Sequence, residues 1–276
     1  MVIGMPEGYR SGTIITIFST ASASGKTLVS TNMAAGLMLE GYRVCLIDFD
    51  LQFGDVCNYL HLEPKHTLAD AQRAAEENQT DFSVREFLQE YRYEKYSFSV
   101  LPAPQKIEDA YNISTDAMHF ILDQLCFEFD YILIDTATAF SELNLMAMDM
   151  SNLVLFLGIM DFIPTIKNMK IGYDTMRSIG YDANKIRMVL NRSDSKTYID
   201  MKDVEQLLQQ PFYHVLSNDF MAAKQSIRDG IPLLCISTHT QLAEELVNML
   251  GRLTNQAVSA EADEDGLFSW MGKIFK

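Results

Sequence analysis

Three adjacent residues carry the first chemical signal. Gly25-Lys26-Thr27 lies within the run FSTASASGKTLVS, residues 18–30. A glycine, an ammonium and a hydroxyl in that order suit a phosphate chain with a divalent cation. Lys26 would supply charge to the β- and γ-phosphates, and Thr27 a hydroxyl to Mg²⁺. The longer pattern G-x-x-x-x-G-K-[ST] asks for glycine where this chain has Thr20. Ser22, Ala23 and Ser24 fill the loop instead, and these are the next smallest side chains. Small residues let backbone N–H groups turn toward phosphate without Cβ clashes. On these three residues alone an ordinary strand-to-helix turn reads equally well.

Acids supply the second signal. RVCLIDFD ends in Asp48 and Asp50, and YILID ends in Asp135. A run of bulky apolar residues closed by an aspartate has the form of a Walker B strand, whose carboxylate holds the shell of Mg²⁺. Either acid pattern alone is common at strand ends. All three features in order, at one sheet edge, are far rarer.

Elements must exist to position them. Strands are expected over Thr13–Phe18, Arg43–Asp48, Ser97–Leu101, Tyr131–Asp135, Leu153–Gly158, Ile186–Asn191 and Phe212–Leu216. Most are unbroken apolar runs, so both faces should be covered, as in a parallel sheet. Helices are expected over Thr27–Glu40, Thr115–Phe127, Ile163–Ile179, Met201–Gln209 and Gln241–Leu253. Gly41 suits a helix end, and Ser114 and Thr240 suit helix starts. Residues 63–95, rich in charge, read as a helical excursion. The alternation predicts an α/β, doubly wound, mostly parallel sheet with helices on both faces. The domain spans residues 1–254.

Bulk properties narrow the functions. The chain has 276 residues, with 22 Lys and Arg against 37 Asp and Glu, a formal net charge of −15. Such a surface repels nucleic-acid backbones, which argues against DNA as a partner. The four cysteines lie far apart, with no metal-ligand spacing, and read as reduced thiols of a cytoplasmic protein. No apolar run is long enough to span a membrane.

Taken together, the GKT loop, LIDFDLQFGDVCNYL, FDYILIDT, VLNRS and NDF…SIRDGIPL resemble the MinD/ParA family of P-loop ATPases, with a deviant Walker A loop. The LQFGD wording is similar to its pilus-assembly localisation branch, TadZ/CpaE. The resemblance implies that ATP and Mg²⁺ are bound by Ser22, Ala23, Ser24, Gly25, Lys26, Thr27 and Leu28. It implies that Asn191, with Arg192 beside it, contacts the adenine edge, and that Asn218 and Asp219 flank the base. Asp50 corresponds to the acid that orients the attacking water, supported by Asp48. Thr27, Asp48 and Asp135 form the Mg²⁺ side. A homodimer is implied, placing a pilus or secretion apparatus, with division-site or flagellar placement as the alternative. A non-hydrolysing scaffold is the alternative of a different class. The family's signature lysine falls at Ala21, which implies binding retained and turnover weakened.

The last ten residues, LFSWMGKIFK, follow an acidic linker at 255–266. At about 100° per residue, Leu267, Phe268, Trp270, Met271, Ile274 and Phe275 share one arc, with Lys273 and Lys276 opposite. That pattern suits the plane of a membrane interface, so the expectation is a protein held peripherally at the inner face of the cell membrane, with polar placement included.

Overall fold

In the computed structural model, residues 12–193, 199–236 and 239–258 are described. Eight strands form one sheet in the order β3-β4-β2-β5-β1-β6-β7-β8. They are β1 Thr13–Phe18, β2 Val44–Phe49, β3 Gln89–Tyr93, β4 Tyr96–Leu101, β5 Tyr131–Thr136, β6 Leu153–Gly158, β7 Ile186–Leu190 and β8 His214–Val215. All pairs are parallel except β3 with β4.

The unbroken apolar runs have the expected cause. Ile15 and Ile17 of β1, Leu46 of β2 and Leu133 of β5 point into one core. That core is closed by α1 (Lys26–Leu39), α10 (Leu233–Ile236) and α11 (Gln241–Val258). Their sequence neighbours Ile14, Ile47 and Ile134 face the other side. There α3 (Leu68–Glu77), α5 (Thr115–Glu128) and α6 (Glu142–Met150) cover them. Under β6 and β7 that side is closed by α7 (Ile163–Ser178) and α8 (Met201–Leu208). A sheet buried on both faces leaves only its edges and strand ends for chemistry.

Local signals explain where elements stop. Gly41 N–H donates to the Met38 carbonyl and Tyr42 N–H to that of Leu37, which satisfies the last turn of α1. Ser114 Oγ accepts from Ala117 N at the start of α5, and Thr240 Oγ1 from Ala243 N at the start of α11. Both caps were expected from the sequence.

Several expectations need correction. Residues 63–95 are helical only in part: α3 and a 3₁₀ turn at Val84–Phe87 precede β3, an antiparallel edge strand. QEYRY alternates polar and aromatic residues, but over only five positions and with Tyr91 alone buried, so the signal is short and weak. α6 and α9 (Phe220–Asp229) went unread as helices, as did the one-turn helices α2 (Val56–Tyr59), α4 (Ile107–Ala110) and α10. α11 continues past Leu253 to Val258, into the stretch read as linker. The amphipathic segment at 267–276 lies outside the described residues. No described helix is long and apolar enough to cross a membrane.

Candidate functional site

β1 ends at Phe18 in the middle of the sheet, and the chain loops through residues 19–25 into α1. Gly25 has φ +92°, and a Cβ there would lie 2.4 Å from Asn191 Nδ2. Glycine is required twice over, by conformation and by space. Ala23 takes the left-handed region too, at φ +53°, without being glycine.

The start of α1 differs from those of α5, α6, α8 and α9. Ser114, Ser141, Asp200 and Asp219 each cap their helix with a side chain. Gly25 offers none, and the first turn of α1 holds no acid. Its free N–H groups and the positive end of its dipole are therefore left for a ligand. They open into a cavity of about 170 Å³ lined by Ser22 to Thr27 together with Asp50, Asp55 and Tyr59.

At the floor of the loop, Thr27 Oγ1 donates to Asp135 Oδ2 at 2.6 Å. The other oxygen of Asp135 is buried with no hydrogen-bond partner, as is Ser24 Oγ. A buried carboxylate oxygen without a donor is costly unless something else satisfies it. Burial raises the Asp135 carboxyl to about 7, opposed by the Thr27 hydrogen bond and by Lys26. An orphaned oxygen beside a hydroxyl is the donor set of a hard cation that completes its shell with phosphate and water, as Mg²⁺ does.

Asp48 lies in register with Asp135 on the neighbouring strand. Its two oxygens accept from Asp50 N and Val56 N, both at 3.1 Å. Gly54 passes so close that a Cβ would sit 2.5 Å from Asp48 Oδ2. Asp48 thus fastens the turn that carries Asp50 into the cavity. Its carboxyl is pushed well up, first by burial and then by the charge of Asp135. Asp50 Oδ1 accepts from Phe53 N at 3.4 Å, a long bond that leaves most of the carboxylate open.

Gly25 and Tyr59 also line a second, larger cavity of about 460 Å³, so the two are contiguous. Leu28, Asn191, Arg192, Asn218 and Asp219 line it. Two of these are engaged within the protein. Asn191 Nδ2 donates to the Ser24 carbonyl at 2.8 Å, which ties β7 to the loop. Asp219 accepts from Ala222 N at 2.9 Å and caps α9. Tyr59, Ser217, Phe220, Lys224 and Arg228 also line this space and went unread. Lys224 and Arg228 carried a faint signal, one helical turn apart in a stretch whose helix was not recognised.

Ser22 and Ala23 are exposed at the cavity mouth, and Ala21 is half-buried at the loop's start. Ala21 N donates to Ser19 Oγ at 3.1 Å.

Comparison with known proteins agrees with this geometry. The model of the CobQ/CobB/MinD/ParA nucleotide binding domain matches residues 15–233. The septum site-determining protein MinD of Thermotoga maritima is 26% identical over 261 residues, covering 91% of this chain and 92% of the relative. A ParA family ATPase from Chlorobium tepidum superposes with TM-score 0.77 at 18% identity, over 87% of this chain and 98% of its own. MinD of Pyrococcus horikoshii, complexed with Mg-ADP, superposes with TM-score 0.76 at 19% identity, over 91% and 100%. A matching model that spans most of the chain, a loop opening an uncapped helix and an acid at the end of β5 lead to one conclusion: this protein belongs to the CobQ/CobB/MinD/ParA family of nucleotide binding domains.

Proposed function

We infer that the chain binds ATP with Mg²⁺ and acts as a nucleotide-operated positioning protein at a membrane. The observation that carries this reading is the hydrogen bond from Thr27 to Asp135 beneath an uncapped helix, with the second Asp135 oxygen unpartnered. Ser22 to Thr27 would hold the triphosphate, Thr27 and Asp135 would hold Mg²⁺, and the larger cavity would take the adenosine. Asp50 orients the attacking water and Asp48 holds Asp50 in place. The Mg-ADP complex of the Pyrococcus relative supports the cofactor assignment.

Exposed apolar residues follow the carboxyl ends of three strands: Phe53 after β2, Phe162 and Ile163 after β6, and Phe220 and Met221 after β8, with Phe53 and Phe220 lining the cavities. They support a homodimer closed over the nucleotide. The segment 267–276 holds the pair peripherally on the membrane, where two weak anchors act together. The LQFGD wording favours placement of a pilus or secretion apparatus. The MinD relatives favour the second reading, division-site placement.

The test is nucleotide binding and single-turnover hydrolysis of wild type and Asp50→Ala with Mg²⁺ present. Equal, slow turnover in both removes the enzyme reading and leaves a scaffold. Absence of ATP binding removes the whole proposal.

A further inference from the structure

The two joined cavities have opposite charge. The smaller is lined by one base, Lys26, and two acids, Asp50 and Asp55, which suits a metal-bound phosphate chain. The larger is lined by three bases, Arg192, Lys224 and Arg228, and one acid, Asp219. In a chain with 37 acids and 22 bases, that balance runs against the composition. The single acid is already used, because Asp219 caps α9.

The placement of the bases is specific. Lys224 and Arg228 are four residues apart on α9 and share a face. Arg228 Nε meets the Asp229 carboxylate at 2.9 Å, which leaves the remaining guanidinium donors. Arg192 lines the larger cavity near Tyr59, where its charge opposes the effect of Asp55 and Asp135 on the Tyr59 hydroxyl. Tyr59 lines both cavities. Arg192 also holds the left-handed backbone region, at φ +56°. Such a conformation is retained where surrounding contacts fix it, and is common at ligand clamps. The rest of the wall, with Leu28, Ala223, Ile227 and Leu242, is apolar and suits a base.

Arg228 is paired with Asp229, but a purine and a neutral ribose offer no negative charge to Arg192 and Lys224. A nucleotide whose 5′-phosphates fill the small cavity has its ribose at the Gly25–Tyr59 junction, beside Arg192. We propose that this site takes an adenine nucleotide carrying a further phosphate on the ribose 2′ or 3′ oxygen, held by Arg192, just past β7, and by Lys224 and Arg228 from α9. This inference rests on the nucleotide-binding reading above and adds a ligand class to it. A ribose phosphate gains charge-assisted hydrogen bonds that an unmodified ribose lacks.

The test is calorimetric titration of the full chain, with Mg²⁺, using ADP, adenosine 2′-phosphate 5′-diphosphate and adenosine 3′-phosphate 5′-diphosphate. The quantity read is the ratio of the ADP dissociation constant to that of each ribose-phosphorylated ligand. A ratio of about 10 or more is expected for one isomer, falling with added salt as ion-pair screening requires. It should collapse toward 1 in Lys224→Ala/Arg228→Ala, two exposed positions. If wild type binds ADP and both ratios stay near 1, the proposal is overturned and the nucleotide reading stands. If a high ratio survives in the double variant, the assignment to α9 is overturned. If no nucleotide binds, both fall.

Discussion

Thr27 Oγ1 and Asp135 Oδ2 are 2.6 Å apart across 108 residues of sequence. The bond joins the first turn of α1 to the end of β5, and it leaves the other Asp135 oxygen unpartnered. That unpartnered oxygen makes the free protein sensitive to what binds there. Asp135→Asn removes a buried charge while keeping an acceptor for Thr27. A rise from 3.8 to about 7 corresponds to at most about 4 kcal/mol. We expect Asp135→Asn to stabilise the free protein at pH 8 by about 1–3 kcal/mol in urea unfolding. Mg²⁺-ADP should stabilise wild type strongly and the variant little.

The same carboxyl fixes the sign of the pH dependence. Its pKa is raised on folding, so the folded state holds the proton more tightly than the unfolded chain. The resulting destabilisation is absent below about pH 4 and complete above about pH 7. Asp48 is pushed in the same direction. Melting temperature of the free protein should therefore fall from pH 5 to pH 8 through these groups, and Asp135→Asn should flatten the curve. Affinity for Mg²⁺-nucleotide should rise over the same interval, as the carboxylate ionises.

Ala23 is exposed and left-handed at φ +53°. A residue with a Cβ costs about 1–2 kcal/mol in that region. Ala23→Gly should stabilise the chain by about 0.5–1 kcal/mol after the entropy of the added glycine. Equal unfolding midpoints would show that the loop carries no such cost.

Gly25 allows no comparable exchange. Gly25→Ala meets both φ +92° and the Asn191 amide at 2.4 Å. The tie from Asn191 to the Ser24 carbonyl would break. A loss of about 1–3 kcal/mol in stability is expected, with nucleotide affinity reduced by about tenfold or more. Chemical denaturation and a fluorescent-nucleotide titration measure the two effects.

Ala21 stands where the resemblance places a lysine that stabilises charge in the transferring phosphoryl group. A positioned cation in such reactions is worth on the order of 10³-fold or more in rate. Ala21→Lys should raise single-turnover hydrolysis by at least about tenfold, with little change in ATP affinity. An unchanged rate would place the limiting defect elsewhere in the site.

Much of this site was legible because backbone geometry imposed residue types. The glycine before Lys26 is demanded by φ +92°, and Gly54 by the approach of Asp48. Asp48, Asp50 and Asp135 announced themselves by closing apolar runs whose two-sided burial the sheet explains. What could not be read has an equally physical cause. Tyr59 and Phe220 reach the cavity from elements whose placement depends on distant packing. The contact between α2 and α9, with His61 against Gly230 and hydrogen-bonded to the Ile227 carbonyl, has no local sequence signal. Asn191 was read through the family resemblance as a partner for the base, and its amide nitrogen is hydrogen-bonded to the loop. β3 went unread because its charged residues, Glu90 and Arg92, alternate with Tyr91 and Tyr93 over only five residues, of which Tyr91 alone is buried.

That last feature bears on how copies of the chain meet. Glu90 and Arg92 project from β3 at the outermost position of the sheet and pair with each other at 2.8 Å. Charged side chains on a rim strand discourage another chain from hydrogen-bonding alongside it. At the opposite rim, β8 offers only two residues. Neither margin invites edge-to-edge growth of the sheet, so this architecture is protected against running into ribbons.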